Sequence, residues 1–273
     1  MKIATWNVNS IRSRMQSVIP WIKENKVDIL LLQEIKCQDE QFPTLEFDDL
    51  GYNYEIFGQK ALNGVAILSK YPIIKSHKEL PLYGFNDIYM ESRFIEVEIE
   101  VNNKTIRLFS IYFPNGNPQA SWTGEHLESP RFFYKLDFYD RVLQYLEESV
   151  AKNPDDIFIV GGDYNVMHKD IDVHKPEIWK NEIAFTEIER SKLDRLEKLG
   201  FVDSFREKNQ LSKEFSWWNY RFGGFQKNHG LRIDYIFINK SSQDIINKAY
   251  IDNSTRSYEK PSDHVPCVVE MEI

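Results

Sequence analysis

Several segments of this chain end or interrupt an apolar, β-branched run with a side chain able to hold a cation, a phosphate oxygen or a proton. Asn7 follows Ile3-Ala4-Thr5-Trp6, and Glu34 follows Ile29-Leu30-Leu31-Leu32-Gln33. Asp163 and Asn165 follow Ile157-Phe158-Ile159-Val160-Gly161-Gly162. Asp234 interrupts Leu231-Arg232-Ile233-Asp234-Tyr235-Ile236-Phe237, and Asp263-His264 opens into the run from Val265 to Val269. Glu34, Asp163 and the amides of Asn7 and Asn165 are hard oxygen donors, the type that suits magnesium or manganese; zinc would want more His or Cys. Magnesium is commonly held by one or two carboxylates plus substrate phosphate oxygens, so this set points to phosphate chemistry. An imidazole bonded to a carboxylate is fixed in tautomer and made more basic, which lets His264 orient or deprotonate an attacking water. Tyr112, at the end of its own apolar run, can donate a hydrogen bond to a developing oxyanion. A lone Glu after a strand is ordinarily a solvated loop residue, and a lone His before a terminal strand is ordinarily structural. The set as a whole, and not any one member, carries the reading.

The elements that must position these groups are mostly strands. Residues 94 to 101 alternate Ile95, Val97, Ile99 and Val101 against Glu96, Glu98 and Glu100, the period-two pattern of a strand with one wet face. The run from Ile106 to Phe113 pairs with it through a hairpin turn at Asn102-Asn103. Runs at 29 to 33, 157 to 161 and 265 to 269 are short and apolar on both faces, as interior strands are. Ile11, Met15, Val18 and Ile22 are spaced for one helical face, and Pro20 should end or kink that helix. Phe133, Leu136, Tyr139, Leu143 and Leu146 form a second stripe; Leu193, Leu196 and Leu199 form a third, ahead of a C-cap at Gly200. Strand-rich halves with helices outside them predict an α/β sandwich of two sheets.

At 273 residues the chain can bury a large core, and no Gly/Ser-rich or Pro-rich linker divides it, so a single domain over 1–273 is expected. No run approaches the length needed to cross a bilayer, and no leader pattern precedes the first strand; the expected location is cytoplasmic and soluble, with no membrane partner. The two cysteines, Cys37 and Cys267, lack the spacing of a zinc site and read as free core thiols. A formal charge of −8 argues against a nucleic-acid partner only as a sum. Metal-binding carboxylates contribute to that sum, while the cation they bind reverses the field locally.

Taken in order, Thr5-Trp6-Asn7-Val8-Asn9, Leu32-Gln33-Glu34, Asn63-Gly64-Val65-Ala66, Tyr112-Phe113-Pro114-Asn115, Gly162-Asp163-Tyr164-Asn165, Gly230-Leu231-Arg232-Ile233-Asp234-Tyr235 and Ser262-Asp263-His264 resemble the full motif set of the exonuclease III family. That family comprises abasic-site endonucleases and 3′-end-trimming nucleases of DNA repair. It sits in a wider superfamily with pancreatic deoxyribonuclease, inositol polyphosphate 5-phosphatases and neutral sphingomyelinases. The resemblance implies a four-layer α/β sandwich, two packed mixed β-sheets flanked by helices, and a Mg²⁺-dependent hydrolase with Mn²⁺ as the substitute metal. It implies Glu34 as the principal metal ligand, with Asn7, Asn9 and Asp263 completing the shell and Asp163, Asn165 and His264 close to the metal. It further implies His264 oriented by Asp234 on the scissile phosphate, Asp163 as the other candidate base, Asn165 holding water and phosphate in line, and Tyr112 and Asn115 on phosphate oxygens. The implied partner is double-stranded DNA with abasic sites or 3′ ends, acted on by a monomer.

Substrate choice falls to less widely shared residues. Phe215 to Arg221, with Leu231 and Ile233, resembles the family segment that builds an apolar pocket for a deoxyribose without its base, Trp217 being the wall, and a loop that enters the minor groove, with Arg221 as the probing side chain. Extruding such a sugar costs less because no base has to be unpaired. Lys60, Arg93 and Lys227 are candidate phosphate contacts. The alternatives are a phosphatase or phospholipase of the same superfamily, against which the Trp-rich segment stands, and a non-catalytic binding module, against which the complete polar set stands.

Overall fold

A computed structural model describes all residues, 1–273. The first half of the chain runs β1 (Lys2–Asn7), α1 (Ile11–Asn25), β2 (Ile29–Gln33), α2 (Thr44–Asp48), β3 (Asn53–Phe57), β4 (Val65–Ser69), β5 (Ile73–His77), β6 (Phe94–Val101), β7 (Lys104–Tyr112) and α3 (Pro130–Lys152). The second half runs β8 (Ile157–Asp163), α4 (Pro176–Trp179), α5 (Glu187–Lys198), β9 (Phe201–Asp203), α6 (Ser204–Lys208), β10 (Trp217–Trp218), β11 (Gly230–Leu231), β12 (Asp234–Asn239), β13 (Ile246–Ile251) and β14 (Cys267–Met271). Two six-stranded sheets result, ordered β13-β14-β1-β2-β4-β3 and β5-β6-β7-β8-β12-β9, with β10 and β11 as a separate ribbon. Each large sheet is antiparallel except for one central parallel pair, β1 with β2 and β7 with β8. A helix crosses over between the members of each parallel pair, α1 in the first and α3 in the second, as parallel neighbours require.

The layers follow from which face each strand leaves apolar. Ile3, Ile29, Leu31 and Ile67 of one sheet meet Val97, Leu108, Ile159 and Ile236 of the other in the central core. The outer face of the first sheet packs Ala4, Leu30 and Leu32 under Val18, Trp21 and Ile22 of α1. The outer face of the second packs Phe109, Phe158 and Phe237 under Tyr139, Leu143 and Leu146 of α3 and Leu193 and Leu196 of α5. This is the expected four-layer sandwich, and the runs read as interior strands (β2, β8 and β14) lie inside their sheets.

Three local expectations are corrected. The first helix does not end at Pro20 but runs on to Asn25; Pro20 and Gln16 both face solvent, where water can satisfy the carbonyl that the missing N–H leaves free. Phe133 is 52% exposed; the buried stripe of α3 begins one residue earlier, at Phe132, and continues through Leu136 and Tyr139. The wet face of β6 is only partly wet, since Glu96 is buried and accepts hydrogen bonds from Arg107 and from Tyr145 of α3. The turn at Asn102-Asn103 takes positive φ at both residues (52° and 61°), the hairpin geometry that Asn tolerates.

No helix is long and apolar enough to cross a membrane. Both cysteines are free and buried.

Candidate active site

The polar ends of the apolar runs meet because of sheet direction. The parallel strands β1, β2, β7 and β8 finish at one edge of the sandwich and deliver Asn7, Glu34, Tyr112 and Asp163 there, while antiparallel β12 and β14 start at that edge with Asp234 and, just before β14, His264. Register places Asp163 opposite both Tyr112 and Asp234. The sheets close tightly beneath this edge. A Cβ at Gly161 would sit 2.4 Å from Leu31 and 3.3 Å from Thr5, both of the other sheet, so only glycine allows the approach. Beside it, Gln33 donates to Thr5 (3.0 Å) and Ser110 (2.9 Å), a satisfied polar network that fixes one sheet on the other.

At the edge, the Asn7 amide donates to Glu34 Oε1 (2.8 Å) and Asp163 Oδ2 (2.9 Å). Its oxygen accepts the Asn9 N–H at 3.1 Å, which fixes the amide orientation. Asn7 thus turns nitrogen, not oxygen, toward the carboxylates and acts in this arrangement as their spacer. Glu34 takes a positive φ of 50°, and so do Asn9 (46°) and Asn165 (51°), a clustering of uncommon backbone at one place. Burial alone would push the Glu34 carboxyl up, but the Lys36 ammonium 2.7 Å away and the Asn7 amide outweigh it and hold it below the ordinary range. Lys36 also donates to Asn9 Oδ1 at 2.6 Å. Lys36 was not singled out from sequence, where it reads as one more surface lysine two residues past Glu34.

His264 is buried, and its Nδ1 donates to Asp234 at 2.9 and 3.1 Å. Asp234 in turn accepts from Ser216 Oγ at 2.6 Å, a third partner that sequence reading missed because nothing but tertiary pairing marks a serine in a Trp-rich run. The other ring nitrogen, Nε2, lies 3.8 Å from Asp163 Oδ2. Burial opposes the imidazolium, but Asp234 and Asp163 prevail and raise His264 to about 10. Asp163 is shifted up, first by burial and also by Asp234, against the pull of His264. Tyr112 is pushed far up by burial and the nearby Glu34 charge, so its phenol keeps its proton. Its ring covers the guanidinium of Arg93, 4.5 Å away, which also donates to the Tyr112 carbonyl.

Asp263, adjacent to His264 in sequence, faces elsewhere. Its two oxygens accept from Asn9 Nδ2 (2.9 Å) and from the Trp217 indole N–H (2.9 Å). Trp217 is the half-buried member of its pair and Trp218 the buried one, as alternation along a strand requires. Next to this acidic corner opens a cavity of about 310 Å³, lined on its polar side by Glu34, Tyr112, Asn115, Asp163, Asn165 and His264, and on its apolar side by Ala184, Trp217, Leu231 and Ile233.

Four candidate residues lie away from it. Arg221 is exposed on the loop between β10 and β11 and does not line the cavity, since that loop projects outward at Arg221-Phe222-Gly223. Arg93 is buried beneath Tyr112 and paired with Glu91 at 2.6 Å, so it supports the site from below and cannot reach a phosphate. Lys60 and Lys227 are exposed.

The carboxylate oxygens of Glu34 and Asp163 and a ring nitrogen of His264 lie within 4.8 Å of one another, and with His264 protonated the two carboxylates are the donors left for a metal. A cation fits the donors: a hard-oxygen corner with an ammonium already lodged against Glu34.

A four-layer sandwich with such a corner at the ends of its central strands defines a hydrolase of the phosphoester-cleaving kind. The chain belongs to the Endonuclease/Exonuclease/phosphatase family, whose pattern matches residues 4–264. It is 32% identical to exodeoxyribonuclease III of Haemophilus influenzae over 99% of each chain. Among solved structures it resembles an AP endonuclease from Archaeoglobus fulgidus (TM-score 0.89, 34% identity, all of both chains). It also resembles the Neisseria 3′ phosphatase NExo bound to a product DNA hairpin (TM-score 0.88, 30% identity, all of both chains).

Proposed function

We propose that this protein is a DNA-repair phosphodiesterase, a Mg²⁺-dependent monomer of one domain. It incises duplex DNA on the 5′ side of abasic sites and trims nucleotides and blocking groups from 3′ ends to leave a 3′-hydroxyl. The observation that carries the reading is the junction of two unlike surfaces: the Glu34, Asp163 and His264 corner opens directly onto a cavity walled by Trp217, Leu231, Ile233 and Ala184. Phosphoester chemistry alone needs only the first. An apolar wall beside it suits a sugar stripped of its base. The exodeoxyribonuclease and AP endonuclease relatives support DNA as the substrate.

Glu34 is the residue that would hold the metal, with Asp163 close by, Asn9 joined to Glu34 through Lys36, and Asp263 on the same cavity wall. Bound there, a divalent cation would supply Lewis-acid stabilisation of charge on the phosphate under attack. Asp163, kept basic by burial, accepts the proton of the attacking water. The backbone N–H of Asn165 bonds Asp163 Oδ1 at 2.9 Å and fixes the angle of that carboxylate. His264, charged and locked by Asp234, points Nε2 into the cavity and donates to a phosphate oxygen. Tyr112 donates its phenolic proton to another. Trp217, tied to Asp263, couples the sugar wall to the metal side of the site.

The purified protein should cut an abasic duplex in magnesium and fall silent on chelation. Hydrolysis of inositol phosphates or sphingomyelin, with no action on DNA, would favour the phosphatase alternative.

A further inference from the structure

Below the cavity lies an ion pair that the chemistry above does not use. Lys135 of α3 and Glu189 of α5 are both wholly inaccessible, with Nζ 2.5 Å from Oε1. The remaining ammonium protons go to the backbone carbonyls of Asn165 (2.8 Å) and Asn115 (3.3 Å). Glu189 Oε1 also accepts the Ala184 N–H at 3.0 Å, and Oε2 accepts Thr186 N–H (3.1 Å) and Oγ1–H (2.7 Å). Asn115, Asn165 and Ala184 all line the cavity, yet they come from three separate loops, after β7, after β8 and before α5. The contact with the first loop is tight: Gly116 takes φ +81°, and a Cβ there would sit 2.9 Å from the Lys135 stem. Ala184 is held at φ +76°, a conformation that a non-glycine residue keeps only when its surroundings dictate it.

Stability alone is a poor reason for this arrangement, since replacing a buried ion pair by apolar side chains is often neutral or stabilising. A tie between the two helices would need only the Lys–Glu bond. Of the additional bonds, the two to Thr186 close the start of α5, and the other three run to the cavity loops.

We propose that Lys135 and Glu189 are positioning residues for the hydrolysis, a single buried pair that fixes the Asn115, Asn165 and Ala184 loops relative to one another. This rests on the nuclease reading above for its kinetic consequence, while the holding of the loops is testable without it. Small displacements of positioned groups cost about 100-fold in rate, so the pair should act on turnover and not on affinity.

The test is the charge-neutral variant Lys135→Met/Glu189→Gln, which removes the ammonium and leaves one acceptor oxygen in place of the two that Ala184 and Thr186 use. On abasic duplex, kcat should fall by about 10- to 100-fold with KM little changed. Backbone amide exchange should quicken in 113–118 and 163–167 while the sheet amides keep their protection. A second variant, Lys135→Gln/Glu189→Gln, retains a hydrogen bond between the helices and offers fewer donors to the carbonyls. It should show the same split in a chain whose helices remain tied. Unchanged kcat and unchanged loop exchange would overturn the proposal. So would failure of both variants to fold, which would make the pair structural. If the unaltered protein were inactive on every DNA substrate, the nuclease reading would fall, and loop exchange would still decide whether the pair holds the loops.

Discussion

His264 is bonded through Nδ1 to Asp234, thirty residues away, and not to Asp263 beside it. The chain bends at Asp263 before it enters β14, and the Asp-His dipeptide divides its labour. The imidazole faces Asp163 across 3.8 Å, and the carboxylate holds Asn9 and Trp217.

The Asp234 bond sets a pH dependence. A histidine raised to about 10 in the fold contributes stability that is fully present below its unfolded pKa of roughly 6.5 and is lost as pH climbs through the folded value. Asp234→Asn should therefore weaken the protein most near and below neutrality and flatten its stability loss between about pH 7 and 10. In the same variant the alkaline limb of kcat should move to lower pH, because imidazolium is lost sooner. Denaturant midpoints and rate profiles across that range check both; superimposable profiles for variant and parent would refute the role given to Asp234.

Glu34→Gln keeps the side-chain length and removes the charge that Lys36 and the metal would share. Turnover should fall by about two orders of magnitude or more, and metal affinity with it, while binding to uncut abasic duplex largely survives. Calorimetric titration of the metal beside a DNA-binding assay separates the two. Equal loss of both would place Glu34 in substrate binding.

Trp217 serves the cavity in two ways that substitution can separate. Trp217→Phe retains an aromatic wall but loses the N–H bond to Asp263. It should affect metal affinity and turnover more than substrate choice. Trp217→Ala opens the wall, so discrimination between abasic and intact nucleotides should drop by roughly 10- to 200-fold, the range for altered apolar pocket contacts. Competition between the two substrates in one tube gives the ratio.

Arg232 lies between Asp172 and Asp203, 2.7 Å from each, and Asp172 is bonded by Arg206 as well. All but Arg206 are buried. Arg232→Met leaves the buried Asp203 Oδ2 without its partner and Asp172 with Arg206 as its only cation, and should cost about 3–5 kcal/mol of stability. Thermal or denaturant unfolding measures it, and a change within experimental error would mean that the cluster relaxes to solvent.

The strands were legible because each apolar run is short and ends on a polar residue, and the site was legible because those endings fall at one edge once the strands are paired. Contacts between distant segments were less so. Ser216 and Lys36 carry no local mark, and Arg93 reads as a surface cation until Tyr112 is seen to cover it. Lys135 did leave a signal. It follows Phe132 by three residues and precedes Leu136 and Tyr139, so it sits on the apolar stripe of α3 where a lysine needs a buried partner. Glu189 stands three residues after Thr186, a capping-box spacing that announces the start of α5 and conceals its second task.

In the proposed function, one site joins a metal-competent acidic corner to an apolar sugar pocket and hydrolyses DNA there. Side-by-side single-turnover rates on an abasic duplex and on a recessed 3′ end, in magnesium and with chelator, test it most directly. Cleavage 5′ of the abasic site and release from the 3′ end, both abolished by chelation and both lost in Glu34→Gln, is the predicted result. Cleavage that persists in chelator, or that survives intact in Glu34→Gln, would contradict it.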